Sequence, residues 1–364
     1  MTRKEFLKMC GILGVGMPLA TTLSSCGDNP LAPNGKVIII GAGPAGMSTG
    51  YLLQQQGIDF EIIEAASTYG GRIKTNKNFV DFPIPLGGEW IHVGVDILPE
   101  IVNDSAVSIN ISTVADGSDD FKFVDHTWLT FFEEYILPSI SSKITYNQVV
   151  QHIDYSGDQV TIETTSGEYT ANKVIVTVPV KILQAGDITF TPELPNRKQN
   201  AINDVTVWDG FKAFIEFSEK FYPNSTGFDI TPETDGQKLY YNAAHGQNSN
   251  RHVLGLFTVG TPARELAALS DAELKNFLLS ELDGLFDNKA SASYIQHTSQ
   301  NWNAEPYAKG AYIFDYEDWQ NITRLADSVD SKIYFAGDGY GTANDWSSVH
   351  VAVRSAKRAV EELV

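Results

Sequence analysis

Three glycines and one acid have the types and the spacing of residues that hold a dinucleotide. Gly41, Gly43 and Gly46 form the pattern G-x-G-x-x-G, and Glu64 follows Gly46 by 18 residues. In such a loop the first glycine permits a tight turn, the second lets the backbone approach a pyrophosphate, and the third lets a helix pack on a strand. An acid at that distance can bind a ribose hydroxyl. We therefore predict that this loop, with Ala45 inside it, binds a dinucleotide; the alternative is a chance glycine loop.

A second motif follows the acid. In "FEIIEAASTYGGRIKT", residues 60–75, five residues separate Glu64 from Gly70, Gly71 and Arg72. This E-x₅-GGR segment resembles the flavin-containing amine oxidase family, in which it continues along the FAD diphosphate. The resemblance implies that Arg72 neutralises phosphate charge, because arginine pairs with phosphate strongly and directionally. It also implies that Gly71 lets the backbone come close; the alternative is a plain surface arginine.

The apolar pattern predicts the elements that position these residues. A strand at 36–40, a helix ending at Gly57 and a strand at 59–63 form a βαβ unit around the glycine loop. Residues 145–178 predict a meander whose last strand is apolar throughout, as strands of parallel sheets are. The same signals predict strands at 211–217 and 252–260, a buried strand followed by a glycine turn within 332–341, and helices at 270–286 and 350–363.

This order of elements predicts an α/β fold. An FAD-binding Rossmann-type domain is assembled from separated segments, and a substrate domain of mixed sheet and helices is inserted between them. The predicted limits are 1–25 for a signal peptide, 26–35 for a lipidated tether, 36–95, 145–185 and 315–364 for the FAD-binding domain, and 96–144 and 186–314 for the substrate domain.

The stretch "PLGGEWIHVG" (85–94) resembles the second glycine pair of the family, with the "WIH" form of polyamine-oxidising members. The resemblance implies that Gly87, Gly88, Glu89 and Trp90 contact the cofactor and that His92 takes part in catalysis. A sharper role for Glu89 is to receive a substrate ammonium. The alternatives are a surface acid and a loop histidine with satisfied hydrogen bonds.

Two stretches resemble the substrate side of the family. "FKAFIEFSEKFY" (211–222) resembles the strand that carries the active-site lysine, here Lys212, which would hold a water near flavin N5. Strand alternation places Lys212 and Glu216 on one face, so a surface pair of these two residues is the alternative. "WNAEPYAKGAY" (302–312) resembles the stretch that places an aromatic ring over the substrate, here Tyr312. A plain core aromatic is the alternative.

Other stretches resemble flavin-holding parts of the family. "VIVTVPVKIL" (174–183) and "ITFTPELP" (188–195) resemble the strand and loop on the adenine side, and "YFAGD" (334–338) resembles the terminal flavin strand. Asp338 stands where the amine-oxidase branch usually has glutamate and would bond a ribityl hydroxyl. The cofactor residues predicted in the C-terminal part of the chain are Gly337, Asp338, Ser347 and Ser348.

The chain also departs from the family pattern. Ala311 stands where monoamine oxidases carry the cysteine that bonds the flavin, so a non-covalent FAD is expected. The second tyrosine of the aromatic cage is missing near Ser348, and Trp346 is the expected substitute. Between His92 and the strand at 145 the family fits a longer helical section, and residues 126–138 are interpreted as what remains of a substrate lid.

Composition limits the classes of partner. The chain has 364 residues, 43% of them hydrophobic, which predicts a packed core. With 26 Lys and Arg against 45 Asp and Glu, the net charge of −19 argues against nucleic acid, whose binding needs cationic contacts to phosphate. A negative net charge of this size would attract cationic ligands. The alternative interpretation is that it only keeps the protein soluble. The seven histidines show no metal-ligand spacing, so no metal is expected.

The first 25 residues read as an export signal. A basic start precedes the apolar stretch at 9–23, and "LSSC" (23–26) resembles a bacterial lipobox. We therefore expect a lipoprotein anchored through Cys26 and facing the periplasm or the cell exterior. Lys4 stands where a twin-arginine signal has its second arginine, so that route and the general secretory route both remain open. The chain contains two cysteines, Cys10 and Cys26, so no disulfide is expected in the fold.

The resemblance implies FAD-dependent oxidation of a primary or secondary amine by hydride transfer to flavin N5. The products would be an imine or aldehyde and, with O₂ as the electron acceptor, H₂O₂; another acceptor is an alternative. Two other functions remain open at this point. One is a flavin-dependent C–C desaturase, and the other is a non-catalytic FAD-binding lipoprotein.

Overall fold

The structure is a computed structural model, and it describes residues 35–228, 235–314 and 319–364. The predicted signal peptide and Cys26 lie outside the described residues, as does nearly all of the tether. Within the described ranges, no helix has the length and apolar character needed to cross a membrane.

The predicted strands are confirmed, and several short ones join them. The strands are β1 (Val37–Ile40), β2 (Phe60–Ile63), β3 (Thr75–Asn76), β4 (Ile84–Pro85), β5 (Ile111–Thr113), β6 (Phe121–Phe123), β7 (Ile144–Thr145), β8 (Val150–Asp154), β9 (Val160–Thr164), β10 (Gly167–Ala171), β11 (Lys173–Val176), β12 (Thr189–Thr191), β13 (Gly210–Phe217), β14 (Ser225–Phe228), β15 (Gly236–Asn242), β16 (His252–Gly260), β17 (Tyr294–Asn301) and β18 (Ile333–Phe335).

The predicted helices after the glycine loop, at 270–286 and at the end of the chain, are also confirmed. The helices are α1 (Pro44–Gln55), α2 (Ile97–Val102), α3 (Trp128–Tyr135), α4 (Leu137–Ile140), α5 (Val180–Gln184), α6 (Asn196–Asp204), α7 (Thr261–Ala267), α8 (Asp271–Leu285), α9 (Lys289–Ser293), α10 (Trp319–Ala326) and α11 (Val349–Leu363).

A five-stranded parallel sheet has the order β18-β11-β1-β2-β7. Its strands are buried on both faces: in β1, Ile39 packs with α1 and α11, whereas Ile38 packs with the meander β8–β10. This two-sided burial explains the continuous apolar runs in the sequence. Because β1 and β2 are parallel, Gly41 and Glu64 follow their carboxyl ends at the same edge of the sheet, which is where open α/β sheets bind ligands.

A separate five-stranded antiparallel sheet has the order β14-β15-β16-β13-β17. The predicted alternation in β13 is confirmed, because Phe211, Ala213, Ile215 and Phe217 pack in one core with α7 and α8. Lys212 therefore points away from these helices, as alternation requires.

The segment 96–144 departs from the sequence prediction. Its helices α2, α3 and α4 bury Ile101, Trp128, Phe131, Phe132 and Ile140 in the same core as α1 and α11, against the parallel sheet. These side chains form part of the nucleotide-binding core, and residues 126–138 are a core segment, so their interpretation as the remnant of a lid is wrong. The other domain limits stay a prediction.

Candidate functional site

A cavity of about 1010 Å³ is lined by residues of both sheets. It brings together all the site residues predicted from the sequence except Gly46. The adenine-side prediction also reaches it, because Thr177, Pro179 and Ile188 line its wall. The geometry therefore gathers the predicted residues, while the individual roles assigned to them stay predictions.

The glycine loop joins β1 to α1 and forms one edge of the cavity. Gly41 has φ +107°, a conformation that side chains disfavour. A Cβ on Gly46 would lie 1.9 Å from the Gly41 carbonyl oxygen, which explains why Gly46 is buried between helix and strand and does not line the cavity. A Cβ on Gly43 would meet nothing within 4 Å. Gly43 is the N-cap of α1, so this open space lies at a helix N-terminus, where a phosphate is favoured.

Glu64 is fixed beside this loop by backbone groups. Its Oε2 accepts a hydrogen bond from the Ala42 N–H at 2.5 Å, and its Oε1 accepts one from the Ala66 N–H at 2.8 Å. Burial raises the pKa of the Glu64 carboxyl, and the backbone N–H groups oppose that rise. The two backbone donors thus fix the Glu64 side chain just after the C-terminal end of β2, in a position that fits a ribose-binding acid.

Arg72 forms hydrogen bonds with three other segments that line the cavity, at Gly88, Ala311 and Asp338. Its guanidinium pairs in a bidentate manner with Asp338 and also donates to the Ala311 carbonyl. The Arg72 carbonyl accepts the Gly88 N–H at 2.9 Å, and a Cβ on Gly87 would lie 1.9 Å from the same oxygen. The two glycine pairs of the sequence therefore allow two backbone segments to touch.

Lys212 is 4% exposed. Its Nζ donates to Glu89 Oε2 at 2.6 Å, to the Pro85 carbonyl at 3.1 Å and to the Gly87 carbonyl at 3.2 Å. The alternative of a surface pair with Glu216 is wrong, because the two side chains are buried with different partners. An ammonium has three hydrogens, and these three acceptors use all of them. This arrangement leaves no Lys212 hydrogen for the expected water.

The remaining predicted residues lie at different depths. Tyr312 and Trp346 are partly buried in the cavity wall, and Ser347 donates to the Ile313 carbonyl at 2.6 Å. The His92 side chain is 44% exposed and pairs with Asp120 at 3.1 Å. His92 thus has the satisfied, exposed setting of a loop histidine, although it also lines the cavity.

Tyr241 and Lys122 were missed by the sequence reasoning. The Tyr241 hydroxyl donates to Glu89 Oε2 at 2.5 Å, and its burial, with Glu89 nearby, raises the tyrosine pKa well above the ordinary value. Lys122 is 2% exposed and donates to the Ala243 carbonyl at 2.9 Å. Burial lowers the pKa of Lys122 to about 8, with Glu89 acting against the shift and Lys212 with it. Neither residue belongs to a motif. The one sequence feature that could have indicated a buried Lys122 is its place between two phenylalanines in the short strand β6.

Comparison with curated proteins gives partial matches. The chain is 31% identical over 222 residues to polyamine oxidase 4 of Oryza sativa subsp. japonica, covering 60% of this chain and 45% of that protein. It is 28% identical over 223 residues to lysine-specific histone demethylase 1B of Mus musculus, covering 59% of this chain and 27% of that protein. The chain therefore spans less than half the length of these relatives.

Comparison with solved structures supports the fold. A structure of putrescine oxidase bound to putrescine superimposes with a TM-score of 0.73 at 15% identity, covering 90% of this chain and 98% of that chain. At this identity the likeness concerns the fold alone, an α/β fold with a parallel Rossmann-like sheet and a separate sheet of the substrate-domain type.

Family models match both parts of the chain. An NAD(P)-binding Rossmann-like domain matches residues 39–103, which contain the glycine loop and Glu64. The model of flavin containing amine oxidoreductases matches residues 129–364, more than half of the chain, including Lys212 and Asp338. The protein thus belongs to the flavin-containing amine oxidoreductase family.

Proposed function

We propose that this protein oxidises a primary or secondary amine with non-covalently bound FAD. The observation that carries the proposal is the shared cavity: the glycine loop, Glu64 and Arg72 line it together with the buried Lys212 and aromatic side chains. When bound, FAD would supply the acceptor for a hydride from the α-carbon of the amine. The resulting imine would hydrolyse to a carbonyl product.

Different groups of cavity residues would hold FAD and the amine. The N-terminus of α1 and Arg72 would hold the phosphates, and Glu64 would hold a ribose hydroxyl. Open space beside Gly43 supports this assignment. Tyr312, Trp346 and their apolar neighbours would exclude water from the amine. Desolvation disfavours the ammonium, so an amine held there is more readily neutral, the form that donates hydride.

Anaerobic titration tests the proposal. We expect 1,4-diaminobutane, spermidine or benzylamine to abolish the visible absorption of the oxidised flavin. Ornithine is the matched control for 1,4-diaminobutane, since it differs by one carboxylate. Trp90 stands where the amino-acid oxidases of the family place an arginine, so we expect the diamine to react faster. A flavin that no amine reduces would favour the non-catalytic alternative, and faster reduction by ornithine would overturn the preference for amines.

The mode of FAD attachment is tested by acid precipitation. Ala311 has no group that could form a thioether, so all flavin should appear in the supernatant as FAD. Absorption that stays with the pellet would contradict a non-covalent cofactor. Reoxidation by O₂ with one equivalent of H₂O₂ would identify oxygen as the electron acceptor.

We also propose that the protein is exported and anchored through lipid on Cys26. The sequence features that support this are the apolar stretch at 9–23 and "LSSC". Labelled fatty acid should be incorporated into the wild type and not into Cys26→Ala. Equal labelling of the two proteins would show that the lipobox interpretation is wrong.

A further inference from the structure

Six carboxylates among the described residues line the cavity, and their partners distinguish one of them. In five of them, each carboxylate oxygen already has a hydrogen-bond donor or a cation beside it. The partners are backbone N–H groups for Glu64, Lys309 for Asp187, Gln300 and Lys74 for Glu305, Arg72 for Asp338, and His350 for Asp345. The sixth is Glu89.

Glu89 has one satisfied oxygen and one unsatisfied oxygen. Its Oε2 accepts from Lys212 Nζ at 2.6 Å and from the Tyr241 hydroxyl at 2.5 Å. These two donors come from different strands of the antiparallel sheet and fix the carboxylate from one side. Its Oε1 has no hydrogen-bond donor in the described part of the chain, and the side chain is only 7% exposed, in the cavity wall. A carboxylate oxygen that lines a cavity and has no donor from these residues can accept a hydrogen bond from a ligand.

The surroundings of Glu89 suit an amine. Trp90 contacts Tyr241 with ring centroids 5.4 Å apart and Phe257 with centroids 5.6 Å apart, so apolar faces adjoin the carboxylate. Apolar faces can bury the methylene groups of a substrate while a single polar atom fixes its nitrogen. The low local dielectric strengthens a hydrogen bond to Oε1.

We propose that Glu89 Oε1 accepts an N–H of the substrate amine and so anchors its nitrogen in the cavity. This inference rests on the proposed amine oxidation and names the residue that would bind the nitrogen of its primary or secondary amine, since each such amine carries an N–H. Lys212 and Tyr241 act as positioning residues, because their hydrogen bonds to Oε2 leave Oε1 as the oxygen offered to the ligand. Of the two roles expected for Glu89 from the sequence, contact with the cofactor and receipt of a substrate ammonium, this inference favours the second.

The test compares Glu89→Gln with Glu305→Gln in the FAD-bound protein. Glu305 is the matched control, because it is a cavity carboxylate with both oxygens occupied. The apparent dissociation constant of 1,4-diaminobutane is measured from the concentration dependence of flavin reduction in rapid anaerobic mixing. We expect Glu89→Gln to raise this constant at least about tenfold. Glu305→Gln should change the constant less than about twofold. An unchanged constant in Glu89→Gln would overturn the inference.

Glu89→Gln also leaves the Lys212 charge without its counter-charge, which can impair folding. The double variant Glu89→Gln/Lys212→Met removes both charges and is compared with Lys212→Met alone. The inference predicts weaker amine binding in the double variant than in the single one, and equal binding contradicts it.

Failure of the inference can be separated from failure of the proposed function. If none of the tested amines reduces the wild-type flavin, that result favours the non-catalytic alternative, and calorimetric titration of the oxidised protein with 1,4-diaminobutane still measures binding. Binding that weakens about tenfold in Glu89→Gln supports the anchor without turnover. Undetectable binding to the wild type, or equal binding to both proteins, overturns it.

Discussion

Glu64 and Glu89 line the same cavity but are held in different ways. Both donors to Glu64 are backbone N–H groups, at residues 22 and 2 positions away in the sequence. The donors to Glu89 are the side chains of Lys212 and Tyr241, at residues 123 and 152 positions away. We call the first region the backbone edge, formed by 41–46 and 64–66, and the second the ion-pair edge, formed by Glu89, Lys122, Lys212 and Tyr241.

The difference lies in what a substitution removes. Backbone N–H groups are present whatever the side chains are, so the backbone edge depends on the glycines that allow its path. The ion-pair edge depends on matched charges out of water, where removing one partner leaves the other unpaired. Such a loss typically costs about 3–5 kcal/mol.

The largest expected effect is that of Lys212→Met. Because it leaves Glu89 buried without its cation, we expect a loss of about 3–5 kcal/mol in the free energy of unfolding, measured by denaturant titration. Flavin reduction at low amine concentration should also fall at least about tenfold, because Lys212 no longer positions the Glu89 carboxylate. The double variant with Glu89→Gln should recover most of the stability. A single variant that unfolds like the wild type would show that the pair contributes little.

A pair of glycine variants separates the two roles within the backbone edge. Gly46→Ala should lower the free energy of unfolding by about 1–3 kcal/mol, because its Cβ would lie 1.9 Å from the Gly41 carbonyl oxygen. Gly43→Ala should change it by less than about 0.5 kcal/mol, since the added Cβ meets no protein atom within 4 Å. Its FAD affinity should nevertheless fall at least about tenfold, which fluorescence titration of the apoprotein would measure. Normal FAD binding by Gly43→Ala would place the phosphates elsewhere.

The smallest effect concerns Lys122, the additional cation of the ion-pair edge. Its pKa of about 8 in the fold lies below its ordinary value of 10.5. Between these values the unfolded chain binds more protons, so the contribution of Lys122 to stability rises with pH from about 8 to about 10.5. Below pH 8 Lys122 is protonated in both the folded and the unfolded chain, so the full cost of burying its charge lowers the free energy of unfolding. Glu89 and Lys212 are the charged neighbours of Lys122 in the fold.

Lys122→Met should therefore raise the free energy of unfolding at pH 7 by about 1–2 kcal/mol, after allowing for the lost hydrogen bond to Ala243. The difference from wild type should shrink as the pH rises through 8–10.5. Denaturant titrations at several pH values measure this difference directly. A constant difference would mean that Lys122 does not titrate in this range.

The sequence by itself determined the backbone edge and the elements around it. The path of the glycine loop, the βαβ unit and the face of β13 that carries Lys212 depend on steric limits and on strand alternation, which act between residues close in the chain. For the same reason the predicted strands and helices were found where their patterns placed them.

Tertiary structure alone decided the ion-pair edge and the role of segment 96–144. Alternation placed Glu216 on the same face as Lys212, but the folded chain brings Glu89 to it from 123 residues away. The apolar residues at 128–132 were interpreted from the sequence as part of a lid, whereas the folded chain packs Trp128, Phe131 and Phe132 in one core with α1 and α11. Pairing of charges and burial of apolar faces depend on which distant segments meet, and no local pattern encodes that choice.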